Sequence, residues 1–473
     1  MRNGDAPLDL LALGRAGTVH FVGIAGAGMS ALAEWLLRAG GRVSGCDVAP
    51  GESVDSLRAL GADVQRGHDP AHVEHVTAVI HTAAVAHDHP EIAAARARGI
   101  PVLKRAEALG ALVQRAPVLA VAGTHGKTTT SAMATAILAE AGLDPTAFVG
   151  GNVAAWGGGF RPGDDTLFVA EADEYDRSFL TLRPRALVVT SIEADHLDVY
   201  GTLEQVEQAF RELADRVPHD GVVAGCTDDP GARALLLAAG TRALGYGLGE
   251  RARLRAVDVV ADRATTRFTV AEGSDVLGTM TLGVPGLHNV RNALGAFAGA
   301  RHFGADFDAA DRAMTRFRGV GRRFEHLGTI GGVDVIDDYA HHPTEIRATL
   351  AAARTAYPAR RLVAAFQPHL YSRTRDFARE FGAALAEADA VFVTDVYPAR
   401  ELPLPGVTGE IVADAARAAG AREVHYIAAL DDAMADVAAA LVSGDVCLAL
   451  GAGTIDAAAR ALVRRLREKE AAR

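Results

Sequence analysis

The stretch from Pro117 to Gly142, PVLAVAGTHGKTTTSAMATAILAEAG, constrains the chain most tightly. A Val/Leu/Ala run reads as a buried strand and Gly123 and Gly126 frame a loop. Thr128–Ala141 then carries a helical stripe, with Met133 and Ile137 on one face and Gly142 as its stop. A strand that passes through a glycine-framed loop into a helix start is a cradle for the phosphates of a nucleoside triphosphate. Backbone N–H groups of Gly123, Thr124, His125 and Gly126 and the helix N-terminus attract anionic oxygens, Lys127 reaches the outer phosphate, and Thr128, followed by Thr129, offers a hydroxyl to Mg²⁺. The first glycine of the general P-loop pattern would fall at Val121, so the loop is the narrower variant G-T-H-G-K-T. Without nucleotide, Lys127 is expected to face solvent.

Before this stretch, Thr18–Ile24 reads as a strand entering GIAGAGMSALAEWLLRAGG, where Met29, Leu32, Ala33, Leu36 and Leu37 form a helical stripe ended by Gly40-Gly41. Arg42–Cys46 is the next strand, with Asp47 at its end. Gly23, Gly26 and Gly28 nearly spell the dinucleotide fingerprint, Ala31 standing at the third position. The turn suits NAD, the diphosphate of another nucleotide, or a doubly wound fold with no dinucleotide. A further strand, Ala78–His81, leads to Thr82, and composition resets at Ala116-Pro117.

After the cradle come a loop, GGNVAAWGGG, and a strand, Leu167–Ala170, that delivers Glu171-Ala172-Asp173-Glu174-Tyr175-Asp176. A carboxylate at the tip of an apolar strand is how nucleotide sites commonly hold a metal, and Glu171 is the first choice. The next strand, Arg185–Thr190, delivers Ser191-Ile192-Glu193-Ala194-Asp195-His196 to the same edge. Arg253–Pro285 alternates in short segments, as an antiparallel insertion does, and HNVRNALGAFAGA returns to helix with Asn289 and Asn292 near its start. Beyond a hinge at FRGVGRR, the strands Val333–Asp337, Leu362–Phe366, Ala390–Thr394 and Val446–Leu450 alternate with helices. They place Asp338-Tyr339-Ala340-His341-His342, then Gln367-Pro368-His369 with Arg373 and Arg375, at the edge where open α/β sheets bind ligands. His341 and His342 are adjacent, which does not suit zinc-ligand spacing on a helix. The fold class is therefore α/β in three domains: Rossmann-like over 1–115, P-loop ATPase-like with the small antiparallel insertion over 116–322, and Rossmann-like over 323–473.

A chain of 473 residues that is 49% apolar supports real cores, and a net charge of −11 without a Lys/Arg-rich run excludes a general nucleic-acid binder. Cys46, Cys226 and Cys447 are too far apart for paired metal spacing or a disulfide framework, so each reads as a small buried residue in a reducing compartment. The short patch Leu8–Leu13 lacks a basic leader, and no run reaches membrane-spanning length, so a cytoplasmic protein without membrane insertion is expected. No heptad array signals an oligomer.

The set of motifs resembles one family over nearly the whole chain, the Mur ligases. The resemblance rests on GIAGAGMSALAEWL, AGTHGKTTTSAM, EADEYDRSFL, SIEADHLDVYGT, HNVRNALGA, GRRFEHLG, DDYAHHPTEI and FQPHLYSRTRDF, in this order. It implies three domains that bind a UDP-sugar, ATP, and the incoming amino acid with part of the ATP site. It also implies a reaction in which ATP phosphorylates the lactyl carboxylate of UDP-N-acetylmuramate and the amine of L-alanine displaces phosphate. By resemblance, Thr128 and Glu171 hold one Mg²⁺, and Glu171 and His196 a second. Asn289 and Asn292 lie on the ATP side, Arg323 reaches the phosphates, and Asp338 and His342 help close the third domain. Arg373 and Arg375 face the anionic substrate. Gly26, Ala27, Gly28, Met29 and Ser30 take the UDP diphosphate, with Asp47 and Thr82 near the uridine. Two departures stand out: Thr202–Pro218 has no lysine where several sibling ligases carry a carbamylated one, and Leu370 follows the Gln-Pro-His motif where some relatives have arginine. The alternatives are a recycling ligase that attaches a tripeptide to the same sugar, a non-catalytic nucleotide or UDP-sugar sensor, and, on the first glycine turn alone, a dehydrogenase.

Overall fold

The computed structural model describes residues 8–86, 88–262 and 265–471. The outermost residues of the expected first and third domains, 1–7 and 472–473, lie outside them. The described residues form two compact units, one within Met1–Ala256, Val270–Gly278 and Arg291–Met314, the other within Val257–Thr269, Thr279–Val290 and Thr315–Arg473.

In the first unit, a five-stranded parallel sheet has the order Asp63–Arg66, Arg42–Asp47, Thr18–Val22, Val76–His81, Val102–Lys104. Its strands start near the middle and wind outwards both ways, which opens a crevice at their carboxyl ends. The helix Ala27–Arg38 buries Met29, Leu32, Ala33, Trp35 and Leu36, and Gly40 (φ +84°) ends it with its N–H on Leu37. In the larger sheet Val118–Ala122 lies between Ala186–Val189 and Phe168–Glu171. Val118–Ala122 and Ala186–Val189 are buried throughout, so their sequences are apolar without alternation.

The stretch expected as the loop GGNVAAWGGG belongs instead mostly to a hairpin, Thr146–Val153 with Gly158–Arg161, antiparallel at the edge of that sheet. Glycine hides the strand from a reading of propensity, yet the pairing needs it: a Cβ on Gly159 would lie 2.3 Å from the carbonyl oxygen of Val149. The insertion expected to be antiparallel is three strands, Leu254–Ala261, Thr266–Glu272 and Asp275–Leu282, that extend the sheet to ten, and the first of them joins its neighbour Ala243–Gly247 in parallel. A two-residue connection at Gly273 (φ +61°) makes the last two antiparallel.

One apolar core runs through the residues on both sides of position 116: Leu109, Leu112 and Val113 share it with Phe179, Leu182 and Phe210. Trp35 Nε1 donates to Asp165 at 3.0 Å, and Thr181 Oγ1 to the Ala106 carbonyl at 2.9 Å.

The second unit holds a six-stranded sheet of order Glu325–Ile330, Val333–Asp338, Val446–Leu450, Leu362–Phe366, Ala390–Val393, Val424–Tyr426, antiparallel only at its first edge. Apolar clusters cover both faces, one around Phe366, Phe381 and Leu350, the other around Phe392, Leu462 and Val437. No helix among the described residues is long and apolar enough to cross a membrane.

Candidate active site

The strand Val118–Ala122 delivers the glycine loop, and the helix Lys127–Glu140 leaves it. Gly123 has φ +136°, and a Cβ there would lie 2.0 Å from Thr190 Oγ1; Gly126, at φ +79°, caps the helix with Asn292 Oδ1 2.6 Å from where its Cβ would be. The loop is fastened to the neighbouring strand end. Thr124 and His125 donate their N–H groups to the Ser191 carbonyl (2.9 Å) and hydroxyl (3.1 Å), the Thr190 hydroxyl donates to the His125 carbonyl, and Glu193 N donates to Thr124 Oγ1 (2.9 Å). A loop held this way keeps its shape before any phosphate arrives.

Lys127 does not face solvent as expected. Its side chain is 14% exposed, and Nζ donates to the carbonyls of Gly123 (2.7 Å) and Thr124 (3.2 Å) and lies 2.8 Å from Glu174 Oε2. A cation placed where phosphate would sit needs a counterion in this low-dielectric setting, and Glu174, itself almost wholly buried, supplies it. Burial works against the ammonium, but Glu174, then Asp173 and Glu171, outweigh it and hold Lys127 charged; burial pushes the Glu174 carboxyl up to about 7 against the pull of Lys127.

Thr128 Oγ1 donates to Glu171 Oε1 at 3.0 Å, and Glu171 Oε2 accepts from Gly150 N at 2.5 Å. Gly150 is required for that approach, since a Cβ would meet the carboxylate at 2.9 Å. A hydroxyl and a carboxylate side by side are the hard oxygen donors that Mg²⁺ selects, so these residues fit the ion. His196, at φ +52° before the short helix Leu197–Tyr200, is grouped with different acids: Asp173, Glu174 and His196 offer ligand atoms within 4.8 Å of one another, and Nε2 is 3.9 Å from Glu174 Oε1.

Opposite Glu171, the helix Ala27–Arg38 begins at Gly26, leaving the first N–H groups, those of Ala27 and Gly28, without helical partners. Ser30 Oγ donates back to the Ala27 carbonyl, and the Met29 side chain lies in the core at 1% exposure. Asp47 accepts from Ala25 N (3.0 Å) and Thr82 packs under Gly23, so both brace the turn. A cleft of about 240 Å³ separates this helix start from the acidic strand tip, with Gly28, Arg105, Phe148, Gly150, Glu171 and Asp173 on its walls. Arg105 covers Gly28, its side chain 2.9 Å from where a Cβ on that glycine would stand. Sequence reasoning missed this arginine; a cation just after the strand Val102–Lys104 was the available signal.

The remaining candidates, apart from Asn292, lie in the second unit. Asp338 accepts from Phe324 N and Ala340 N, both at 2.8 Å, and burial pushes its carboxyl up to about 6 despite Arg323. Arg323 is 3.7 Å from Glu345 and, with Arg322, stacks on Tyr339. His342 starts the helix Pro343–Ala356, accepting from Thr344 N at 3.4 Å, and Asn289 Nδ2 donates to the Pro285 carbonyl at 2.7 Å. Arg373 is buried against His369 (3.5 Å), whereas Arg375 is exposed and paired with Asp376 (2.7 Å).

A preorganised phosphate cradle across a cleft from a second diphosphate-type helix start, in a chain of parallel α/β sheets, defines a nucleotide-using enzyme with two anionic substrates. Residues 18–116 match the Mur ligase family catalytic domain, 121–300 the Mur ligase middle domain, and 322–453 the Mur ligase glutamate ligase domain. The chain is 45% identical over 456 residues to UDP-N-acetylmuramate–L-alanine ligase of Salinibacter ruber, covering 96% of each, and 44% identical over 449 residues to that of Trichlorobacter lovleyi, covering 95% of this chain and 98% of the relative. The crystal structure of UDP-N-acetylmuramate-alanine ligase from Thermotoga maritima superposes with a TM-score of 0.81 at 31% identity, over 96% of this chain and 100% of that one. A murein peptide ligase from Psychrobacter arcticus gives 0.69 at 26% identity, over 95% and 99%. The chain belongs to the Mur ligase family, whose members are ATP-dependent ligases that form amide bonds.

Proposed function

We propose that this chain is the ATP-dependent ligase that joins L-alanine to the lactyl carboxylate of UDP-N-acetylmuramate, releasing ADP and phosphate, in cytoplasmic synthesis of peptidoglycan precursors. The full-length identity to ligases of that name supports the substrates. The carrying observation is the cleft that sets the Gly28 helix start and Arg105 across from Glu171 and the Thr128 end of the cradle. There the Ala27 and Gly28 N–H groups and Arg105 bind the diphosphate of the sugar nucleotide and turn its carboxylate towards the cradle. The loop from Gly123 to Gly126 surrounds the triphosphate, but Ser191 already engages the Thr124 and His125 N–H groups expected to bind it, so the N–H groups at the helix start, Lys127, Thr128 and Thr129, orient it. Lys127 exchanges Glu174 for the outer phosphate and neutralises charge as a carboxylate oxygen attacks phosphorus and ADP leaves. The neutral amine nitrogen of alanine then attacks the acyl carbon, the C–N bond forms as the C–O bond to phosphate breaks, and the departing phosphate takes the proton that nitrogen loses. Mg²⁺, held by Thr128 and Glu171 and, at a second position, by His196 with the neighbouring acids, would supply further charge neutralisation. Asn289, Asn292 and Arg323 serve the nucleotide, Asp338 and His342 domain closure, and Arg373 and Arg375 the anionic substrate, within domains divided as 1–115, 116–322 and 323–473.

Two measurements test the reading. Phosphate release with L-alanine, glycine, L-serine and L-Ala-γ-D-Glu-meso-diaminopimelate, each with UDP-N-acetylmuramate, should rank L-alanine first. A neutral pocket separates neighbours by one methylene by only about 1–3 kcal/mol, so glycine and L-serine should remain slow acceptors. Higher efficiency with the tripeptide would move the chain to the recycling branch. His196→Ala should raise the Mg²⁺ concentration for half-maximal rate by about tenfold or more and leave UDP-sugar binding nearly unchanged. The reverse pattern would put His196 at the sugar.

A further inference from the structure

The first sheet contains a cluster that the ligase reaction does not use. Glu91, at the start of the helix Pro90–Ala97, is fully buried, a costly place for a carboxylate. Its Oε1 is 2.7 Å from His72 Nδ1 and 4.0 Å from His20 Nε2, and its Oε2 is 3.1 Å from Cys46 Sγ. His20 is 1% exposed and Nε2 has no hydrogen-bond partner, while its Nδ1 is bound to Ser44 Oγ at 2.9 Å, which fixes the ring with Nε2 aimed at the carboxylate. The ligand atoms of His20, Cys46, His72 and Glu91 all lie within 4.8 Å of one another. His68 stands behind them, its Nδ1 3.1 Å from Cys46 Sγ.

We propose that His20, Cys46, His72 and Glu91 form a binding site for a divalent transition ion of the zinc class, separate from the Mg²⁺ residues. In a tetrahedral site with metal–nitrogen and metal–oxygen bonds of about 2.0–2.2 Å and a metal–sulfur bond of about 2.3 Å, ligand atoms lie roughly 3.3–3.8 Å apart. The distances from Glu91 to the other three, 2.7 to 4.0 Å, bracket that spacing and all four ligand atoms lie within 4.8 Å of one another, so side-chain adjustment of about 1 Å suffices. One sulfur, two imidazoles and one carboxylate select zinc, cobalt or nickel over Mg²⁺, which demands oxygen and keeps its waters. The Ser44 contact on the far nitrogen of His20 is the outer hydrogen bond that orients metal-bound histidines. Ligand placement is rigid: His20 and Cys46 sit on adjacent strands paired at Val22 and Cys46, and His72 lies in the 3₁₀ turn Pro70–Val73. The His72 and His68 side chains, 21% and 22% exposed, leave a path for the ion. Burial and Glu91 keep the Cys46 thiol protonated without an ion, so binding exchanges the S–H proton, released to water, for a metal–sulfur bond. Separations of 26, 26 and 19 residues match no metal-ligand spacing, which is why the sequence read Cys46 as inert.

The full-length protein, stripped with chelator, is titrated with Co²⁺ alone while the thiolate-to-cobalt charge-transfer band is followed, and with Zn²⁺ alone against a chromophoric competitor. One equivalent should bind with the band present. Cys46→Ser should abolish the band and weaken Zn²⁺ at least about tenfold, His20→Ala should weaken it similarly, and His196→Ala should bind as the parent does. Zn²⁺ should raise the unfolding temperature of the parent and not of Cys46→Ser. Absence of the band in the parent overturns the proposal even if a variant misfolds, as does a band that survives Cys46→Ser or an equivalent lost only in His196→Ala.

Discussion

Lys127→Ala should slow UDP-N-acetylmuramate-dependent phosphate release by at least about 100-fold and leave the protein folded. Removing one preorganised donor at a site of developing charge costs about 3 kcal/mol of barrier, and a full ammonium on the transferring phosphate is worth no less. The complication is Glu174, which loses its buried counterion. Its carboxyl already stands at about 7 against an ordinary 4.5, so in the variant it takes up a proton rather than remaining an unpaired charge. A carboxyl raised in the folded state binds its proton there before the unfolded chain does. In the parent that stability is fully present below 4.5 and is lost as pH rises through about 7; without the pull of Lys127 the folded-state value moves higher still, so the variant goes on losing stability above pH 7 after the parent has stopped. Lys127→Ala should therefore unfold at a lower temperature at pH 8 than at pH 5, relative to the parent, and adding Glu174→Gln should remove that difference while activity stays low. Turnover near the parent's rate in Lys127→Ala would refute the cradle assignment.

Gly123→Ala should be the most damaging single methyl addition in the loop. The residue sits at φ +136°, outside the range of an alanine, and the new Cβ would stand 2.0 Å from Thr190 Oγ1 and 2.9 Å from Thr190 N, so both backbone and strand end must shift. Overpacking of this kind costs about 1–3 kcal/mol, and backbone strain adds about 1–3 kcal/mol more. Because Thr190 also fastens the His125 carbonyl, the shift reaches the cradle itself. Denaturant unfolding should show a lower midpoint with unchanged slope, and the apparent KM for ATP should rise. Parent-like stability and KM would mean that the loop adapts, contrary to the fastened geometry described.

The strands Leu362–Phe366 and Val446–Leu450 were legible to the residue because a strand buried on both faces is written as an unbroken apolar run with polar neighbours. The phosphate loop was legible for a related reason: its glycines, lysine and threonines are contiguous. What depended on distant partners was not. The ion pair of Lys127 joins residues 47 apart, the Arg105 side chain meets Gly28 from the start of a different helix, and the glycine hairpin at 146–161 owes its strands to a neighbour that needs close approach. Local pattern carries periodicity and turn chemistry; it carries no record of which carboxylate a buried cation will find.

The core shared across position 116 bears on how the nascent chain matures. The helix Arg105–Val113 packs its Leu109, Leu112 and Val113 into a cluster with Phe179 and Leu182, and Thr181 closes over Gly110. After Val113 is made, about 66 more residues must be translated before Phe179 exists, roughly 3–13 s at 5–20 residues per second. Through that interval the first sheet waits with an apolar helix face uncovered, the period in which a ribosome-bound chaperone has something to hold.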